Sequence, residues 1–185
     1  MVGAGGAAAL ARQGASCAAG CGAGCYAGIV EADAFDEETF FRALAQVRCL
    51  LIGRRAMVAL GLPVLTADYD LWLHIDDIEA LNALVVPLEL RPTRTPAEAR
   101  ATGRYVLENG EHVDVLIARS VPTVEGQSVR FDDLWARRAA VAYAAGVTIA
   151  LPSLDDLILT KRFAARRKDA LDLEMLQALR ARRAP

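Results

Sequence analysis

The chain lacks any apolar run approaching the roughly 18 residues that a bilayer-spanning helix needs, so no membrane partner is expected. It also lacks a surplus of either charge. Its 21 Lys and Arg stand against 23 Asp and Glu, a formal net charge of -2. A general nucleic-acid coat requires a strong positive excess, so bulk nucleic-acid binding is not expected, although a local basic patch is compatible with these numbers. Histidine is scarce, with two residues, and cysteine occurs four times. No zinc-spaced cluster, phosphate-binding P-loop or Arg-x4-His ribonuclease signature is present. Nothing in the cysteine pattern suggests disulfides, which makes a reducing cytoplasm the expected setting. What remains is a small-molecule or specific-protein partner.

The composition supplies a substantial core. The chain has 185 residues, 54% of them hydrophobic, enough for one domain of ordinary size. The first 28 residues are mostly Ala and Gly, which bury too little area to offset chain ordering. Residues 1–30 are therefore expected to be a flexible leader, and residues 36–182 a single folded domain. Gly3-Ala4-Gly5-Gly6-Ala7-Ala8 has dinucleotide-binding spacing, but no strand precedes it. The first basic residue is Arg12, too late for a secretion signal. Cys17, Cys21 and Cys25 lack an evident fourth ligand and read as low complexity, whereas Cys49 reads as a buried thiol in an apolar strand.

Local signals outline the folded part. Asp36-Glu37-Glu38 opens a helix to about Ala45, with Phe40, Phe41 and Leu44 on one face. Val47 to Ile52 is an apolar run of strand length, ended by Gly53. Arg54 to Leu60 reads as a short helix stopped by Gly61 and Pro63. A second strand is expected over Asp68–Ile75, and Asp76 is placed to cap a helix to about Val85. An extended connection follows, with a helical turn at Ala97–Arg100. Tyr105–Glu108, Asn109-Gly110 and Glu111–Ile117 form a hairpin signal. Val129 to Trp135 reads as a polar connection, Gly146–Leu151 as a short strand. Ser153 to Asp156 is a capping box before a helix to about Ala165, and a last helix spans Lys168–Arg180. The fold class is α/β (α+β), a small mixed β-sheet flanked by helices.

The chemistry gathers at Thr66-Ala67-Asp68-Tyr69-Asp70. Alternate strand residues share a face, so Asp68, Asp70, Trp72 and His74 project together, away from Tyr69, Leu71, Leu73 and Ile75. Two adjacent carboxylates in an apolar strand are unfavourable unless a cation neutralises them. Asp114, between Val113 and Val115 on the hairpin's returning strand, supplies a third, with His112 on the same face. Such a set is a natural seat for Mg²⁺. Trp72 is read as packing, and Arg162, Arg166 and Arg167 as a solvated helix face.

In order along the chain, these features resemble the nucleotidyltransferase-fold family. The residues that carry the resemblance are Ile52-Gly53-Arg54, Asp68-Tyr69-Asp70 and Val113-Asp114-Val115. Thr66 before the pair resembles the toxin–antitoxin and abortive-infection branch. So does the tail, Ser153-Leu154-Asp155-Asp156-Leu157, Lys161 and Arg167-Lys168-Asp169-Ala170-Leu171-Asp172-Leu173. The resemblance covers about residues 36–180. It implies that Asp68, Asp70 and Asp114 are catalytic and bind Mg²⁺ or Mn²⁺. It implies that Gly53, Arg54, Arg55, Thr66 and Lys161 bind an NTP such as ATP. The reaction implied is transfer of a nucleoside monophosphate to a hydroxyl of a protein, a tRNA end or a small molecule. Two positions depart from the pattern: Arg54 stands where a second Gly or a Ser is usual, and Val64 where the branch often has Arg. They leave a second reading, a non-catalytic binding module that serves as an antitoxin-like partner.

Overall fold

The computed structural model describes residues 35–164 and 166–183. The expected leader, with Cys17, Cys21 and Cys25, lies outside the described residues. Helix α1 (Glu37–Leu44) starts where expected, because the Asp36 carboxylate accepts the Thr39 backbone N–H at 3.0 Å and satisfies an otherwise orphaned donor. Phe40, Phe41, Ala43 and Leu44 are its buried face. Strand β1 (Cys49–Ile52) is buried at all four positions and runs straight into helix α2 (Gly53–Ala59). A loop leads to β2 (Tyr69–Leu73).

β2 is shorter than its sequence signal. Asp68 precedes it, and His74 leaves it to cap a 3₁₀ turn, Ile75–Asp77. Asp76 is not the cap expected: the His74 ring accepts the Asp76 backbone N–H. Helix α3 (Ile78–Leu84) starts after Asp77, whose carboxylate is occupied by the Arg48 guanidinium at 2.7 and 2.9 Å. Strand β3 (Arg91–Pro92) and helix α4 (Pro96–Thr102) replace the extended connection. A Thr95–Glu98 capping box with Pro96 at the first turn makes α4 a full helix.

The hairpin of β4 (Arg104–Glu108) and β5 (His112–Leu116) closes through three residues, because Glu108 pairs with His112. Gly110 takes a φ of 115° there, and the Asn109 side chain accepts the Glu111 N–H. The polar connection expected after it is structured. It contains β6 (Ser120–Pro122), β7 (Ser128–Arg130) and α5 (Phe131–Ala136), then β8 (Ala139–Ala144), β9 (Val147–Leu151), α6 (Leu154–Thr160) and α7 (Arg167–Arg183).

The main sheet has the order β1-β2-β5-β4-β3, with β2 and β5 parallel and the other pairs antiparallel. One face, with Tyr69, Leu71, Leu73, Tyr105, Leu107, Val113 and Val115, packs on the helices as the main core. The other face packs too. Leu50, Ile52 and Trp72 meet Val129, Phe131 and Leu134. Trp72 is fully buried, donates its indole N–H to the Ala118 carbonyl at 2.9 Å, and lies edge-on to Phe131 and Phe163. The packing role read for Trp72 therefore holds. It also narrows the polar face to one end of β2 and β5, where Asp70 and Asp114 stand. No helix among the described residues is long and apolar enough to cross a membrane.

Candidate active site

Sheet register brings the central carboxylates together. In the parallel pair of β2 and β5, Asp70 is the direct partner of Asp114. On its other side Asp70 faces Ile52, the last residue of β1. The chain then turns at Gly53, with φ 65°, which a residue bearing a side chain adopts only with strain. Space demands glycine as well: a Cβ there would lie 2.6 Å from the Asp70 Cγ and 2.8 Å from its Cβ. The Gly53 backbone thus lies directly against the Asp70 carboxyl.

These residues line a cleft of about 430 Å³, together with Arg54, Thr66, Asp68, Arg104, Asp114, Lys161, Arg166, Asp169 and Asp172. Asp68 is exposed in the loop before β2, and Thr66 Oγ1 donates to its carbonyl at 3.3 Å. Asp114 is exposed, with His112 Nε2 3.6 Å from its carboxylate. His74, expected on the same face, is buried at the far end of β2, where its ring is 3.3 Å from Arg48.

The same cleft is lined by three cations paired with two further aspartates. Lys161 and Arg54 both bond Asp172, at 2.7 and 3.1 Å. Lys161 and Asp172 are nearly inaccessible, with side chains 6% and 2% exposed. Arg166 bonds Asp169 at 2.7 Å, and Lys161 is 3.8 Å from the same residue. Asp155 and Asp156 instead hold Arg180 and Arg137. Arg54 therefore leans away from the Gly53 turn toward α7. Arg55, the next residue, does not line the cleft: it points to α1, 3.1 Å from Glu37. Val64 packs against the main core.

Sequence reasoning missed Arg104, Arg166, Asp169 and Asp172 as lining residues. Arg166 is solvated, as read, but it lies before α7 rather than on its face, bonds Asp169 and lines the cleft. Asp169 and Asp172 carried a signal, since residues three apart share one helix face.

The electrostatics separate the two sets of carboxylates. Burial first, and then the nearby Asp114 charge, push the Asp70 carboxyl above the ordinary carboxylate range, while Lys161 and Arg166 pull the other way. Burial also raises Asp172, but the hydrogen bonds from Arg54 and Lys161 outweigh it and hold that carboxyl below the ordinary range. The charged form of Asp172 is favoured by its partners, whereas that of Asp70 is disfavoured by burial and by Asp114. No group of three or more His, Cys, Asp or Glu among the described residues is arranged to hold a metal ion unaided. Mg²⁺ commonly takes one or two carboxylates and completes its shell with water and substrate phosphate, and Asp70 with Asp114 fits that demand.

A second hollow, about 620 Å³, lies between the end of α1, β1 and the β8–β9 hairpin. Its charged lining is Arg48, Asp77 and Arg138, with no pair of carboxylates, so it does not offer the same chemistry.

No family model matches the sequence, and no curated protein does. Solved structures do match. The antibiotic-resistance factor ANT(2'')-Ia, known from a solution structure, is 16% identical with a TM-score of 0.54 over 79% of this chain and 83% of its own. The lincosamide antibiotic adenylyltransferase LnuA, in a lincomycin-bound crystal structure, is 14% identical with a TM-score of 0.53 over 77% of this chain and 97% of its own. With its mixed five-stranded sheet, this chain has the nucleotidyltransferase fold.

Proposed function

We propose that the chain transfers a nucleoside monophosphate from an NTP to a hydroxyl group. The observation that carries this reading is Asp70: a half-buried carboxylate paired with Asp114, its charged form disfavoured, in a cleft also lined by Arg54, Lys161 and Arg166. Asp70 and Asp114 would hold Mg²⁺ or Mn²⁺, and Asp68 lines the same cleft from the adjacent loop. Held there, a divalent ion would supply Lewis-acid stabilisation of charge on the phosphates.

The chain's own residues supply the rest. Gly53, lacking a side chain, lets backbone approach the phosphates beside Asp70. Lys161, Arg54 and Arg166 neutralise the leaving pyrophosphate, and Thr66 lines the path of the nucleotide. Asp114, exposed to solvent, accepts the proton of the attacking hydroxyl. The hydroxyl oxygen bonds to the α-phosphorus, the bond from that phosphorus to the bridging oxygen breaks, and pyrophosphate leaves with the electron pair. ATP is the donor to try first, because LnuA is an adenylyltransferase. The acceptor classes are a small molecule, a protein side chain and an RNA end.

One observation favours the second reading, a catalytically silent binding module: no three metal-binding groups converge among the described residues. Incubation with ATP labelled at the α-phosphate, Mg²⁺ and one acceptor of each class separates the two. Label is expected on one acceptor with the wild type and absent with Asp70→Asn. Equal labelling by that variant contradicts the assignment.

A further inference from the structure

Arg55 resembles a phosphate-binding residue in sequence, yet its guanidinium turns away from the cleft. Nη1 lies 3.1 Å from Glu37 Oε1, and the guanidinium carbon sits 4.2 Å over the Tyr69 ring. The same Glu37 carboxylate accepts the Tyr69 hydroxyl at 2.7 Å and the Tyr143 hydroxyl at 2.5 Å. Donors from α2, β2 and β8 thus converge on one residue of α1. The Arg55 Nε is buried with no hydrogen-bond acceptor. An aliphatic side chain would cover Tyr69 without leaving that donor unpaired, so packing alone does not explain an arginine here.

Its place in the chain does. Tyr69 immediately precedes Asp70, and Arg55 is two residues from Gly53, which lies on Asp70. Arg54 and Arg55, consecutive on a helix, point to different anchors: Asp172 on α7 and Glu37 on α1. The first turn of α2 is therefore held from two directions at the point where it meets Asp70.

We propose that Arg55 is a positioning residue: through Glu37 and Tyr69 it fixes the first turn of α2, and with it Gly53 and Arg54, against the Asp70 end of β2. This role rests on the nucleotidyl-transfer reading. It accounts for an arginine beside the phosphate turn that does not itself reach the cleft.

The test compares full-length wild type with Arg55→Met, Glu37→Gln and Arg55→Lys. Arg55→Met keeps the cover over Tyr69 and removes the charge. Glu37→Gln keeps an acceptor for the tyrosines, and carries the test if Arg55→Met does not fold. Arg55→Lys restores a cation to Glu37. Affinity for Mg-ATP is measured by calorimetry, and amide hydrogen exchange is followed at residues 53–56. Arg55→Met and Glu37→Gln should each weaken nucleotide binding about tenfold and speed exchange in that turn, with Arg55→Lys recovering most of both. Wild-type affinity and exchange in folded Arg55→Met overturn the proposal. So does weak binding confined to the two Arg55 variants with Glu37→Gln unaffected, which would mean direct phosphate contact. A wild type that binds no Mg-ATP overturns the nucleotidyl-transfer reading, and this proposal with it.

Discussion

At the scale of single residues, the account turns on the unequal treatment of two aspartates. Asp70 is pushed up by burial and then by the like charge of Asp114; Asp172 is held down, its burial outweighed by hydrogen bonds from Arg54 and Lys161. A carboxyl raised in the folded state binds protons more readily there than in the unfolded chain. Its contribution therefore weakens stability as pH rises through the raised value, and the penalty is complete above that value. Asp70→Asn removes that penalty. In chelator at neutral pH this variant should melt at a higher temperature than wild type. Added Mn²⁺ should raise the melting temperature of the wild type and leave Asp70→Asn unmoved. Differential scanning calorimetry checks both; a variant less stable than wild type in chelator contradicts the electrostatic picture. Asp70 itself was legible in sequence, because a carboxylate between Tyr69 and Leu71 fits no apolar strand. The anchoring of Arg54 by Asp172 was not, since the partners are 118 residues apart and only the fold joins them.

At the scale of elements, two junctions position the site. The β1–α2 turn needs glycine for both space and φ. Gly53→Ala should destabilise the protein by about 1–3 kcal/mol and abolish nucleotide binding, measured by urea unfolding and calorimetry. The docking of α7 beside α6 is ionic at its centre, with Lys161 between Asp172 and Asp169. Removing one partner of a buried pair strands the other. Asp172→Ala should lower stability by about 3–5 kcal/mol and release α7 first, seen as rapid amide exchange in residues 167–183. Elements with local signals were legible: α1 from its Asp36 cap, β1 from its apolar run, α6 from Ser153. β8 was not, because Ala139, Ala140, Ala142 and Ala144 have weak strand preference and the strand exists through its pairing with β9. α4 was underestimated although Thr95, Pro96 and Glu98 announced its start. The α5 and β7 segment was read as polar from Asp132 and Asp133, while its buried Val129, Phe131 and Leu134 build the second core.

At the scale of the whole molecule, topology turns separate motifs into one cleft. Parallel pairing of β2 with β5 cannot be read from either strand; it follows from the fold, and it puts Asp114 beside Asp70. The carboxyl groups of Asp77 and Asp172, both held below the ordinary range by arginine or lysine bonds, tie distant segments together. Their contribution is present above the ordinary carboxylate pKa of about 4 and is lost as pH falls through their lowered values. Unfolding followed by circular dichroism should therefore show a steep acid transition below that pH. The central claim is that the Asp70–Asp114 cleft takes a metal-bound nucleotide. Its most direct test is calorimetric titration of the full chain with each NTP, in Mg²⁺ and in chelator. The account predicts saturable binding of one nucleotide per chain that requires Mg²⁺ and disappears in Asp70→Asn. No heat of binding at millimolar nucleotide, or binding that survives both chelator and Asp70→Asn, would contradict it.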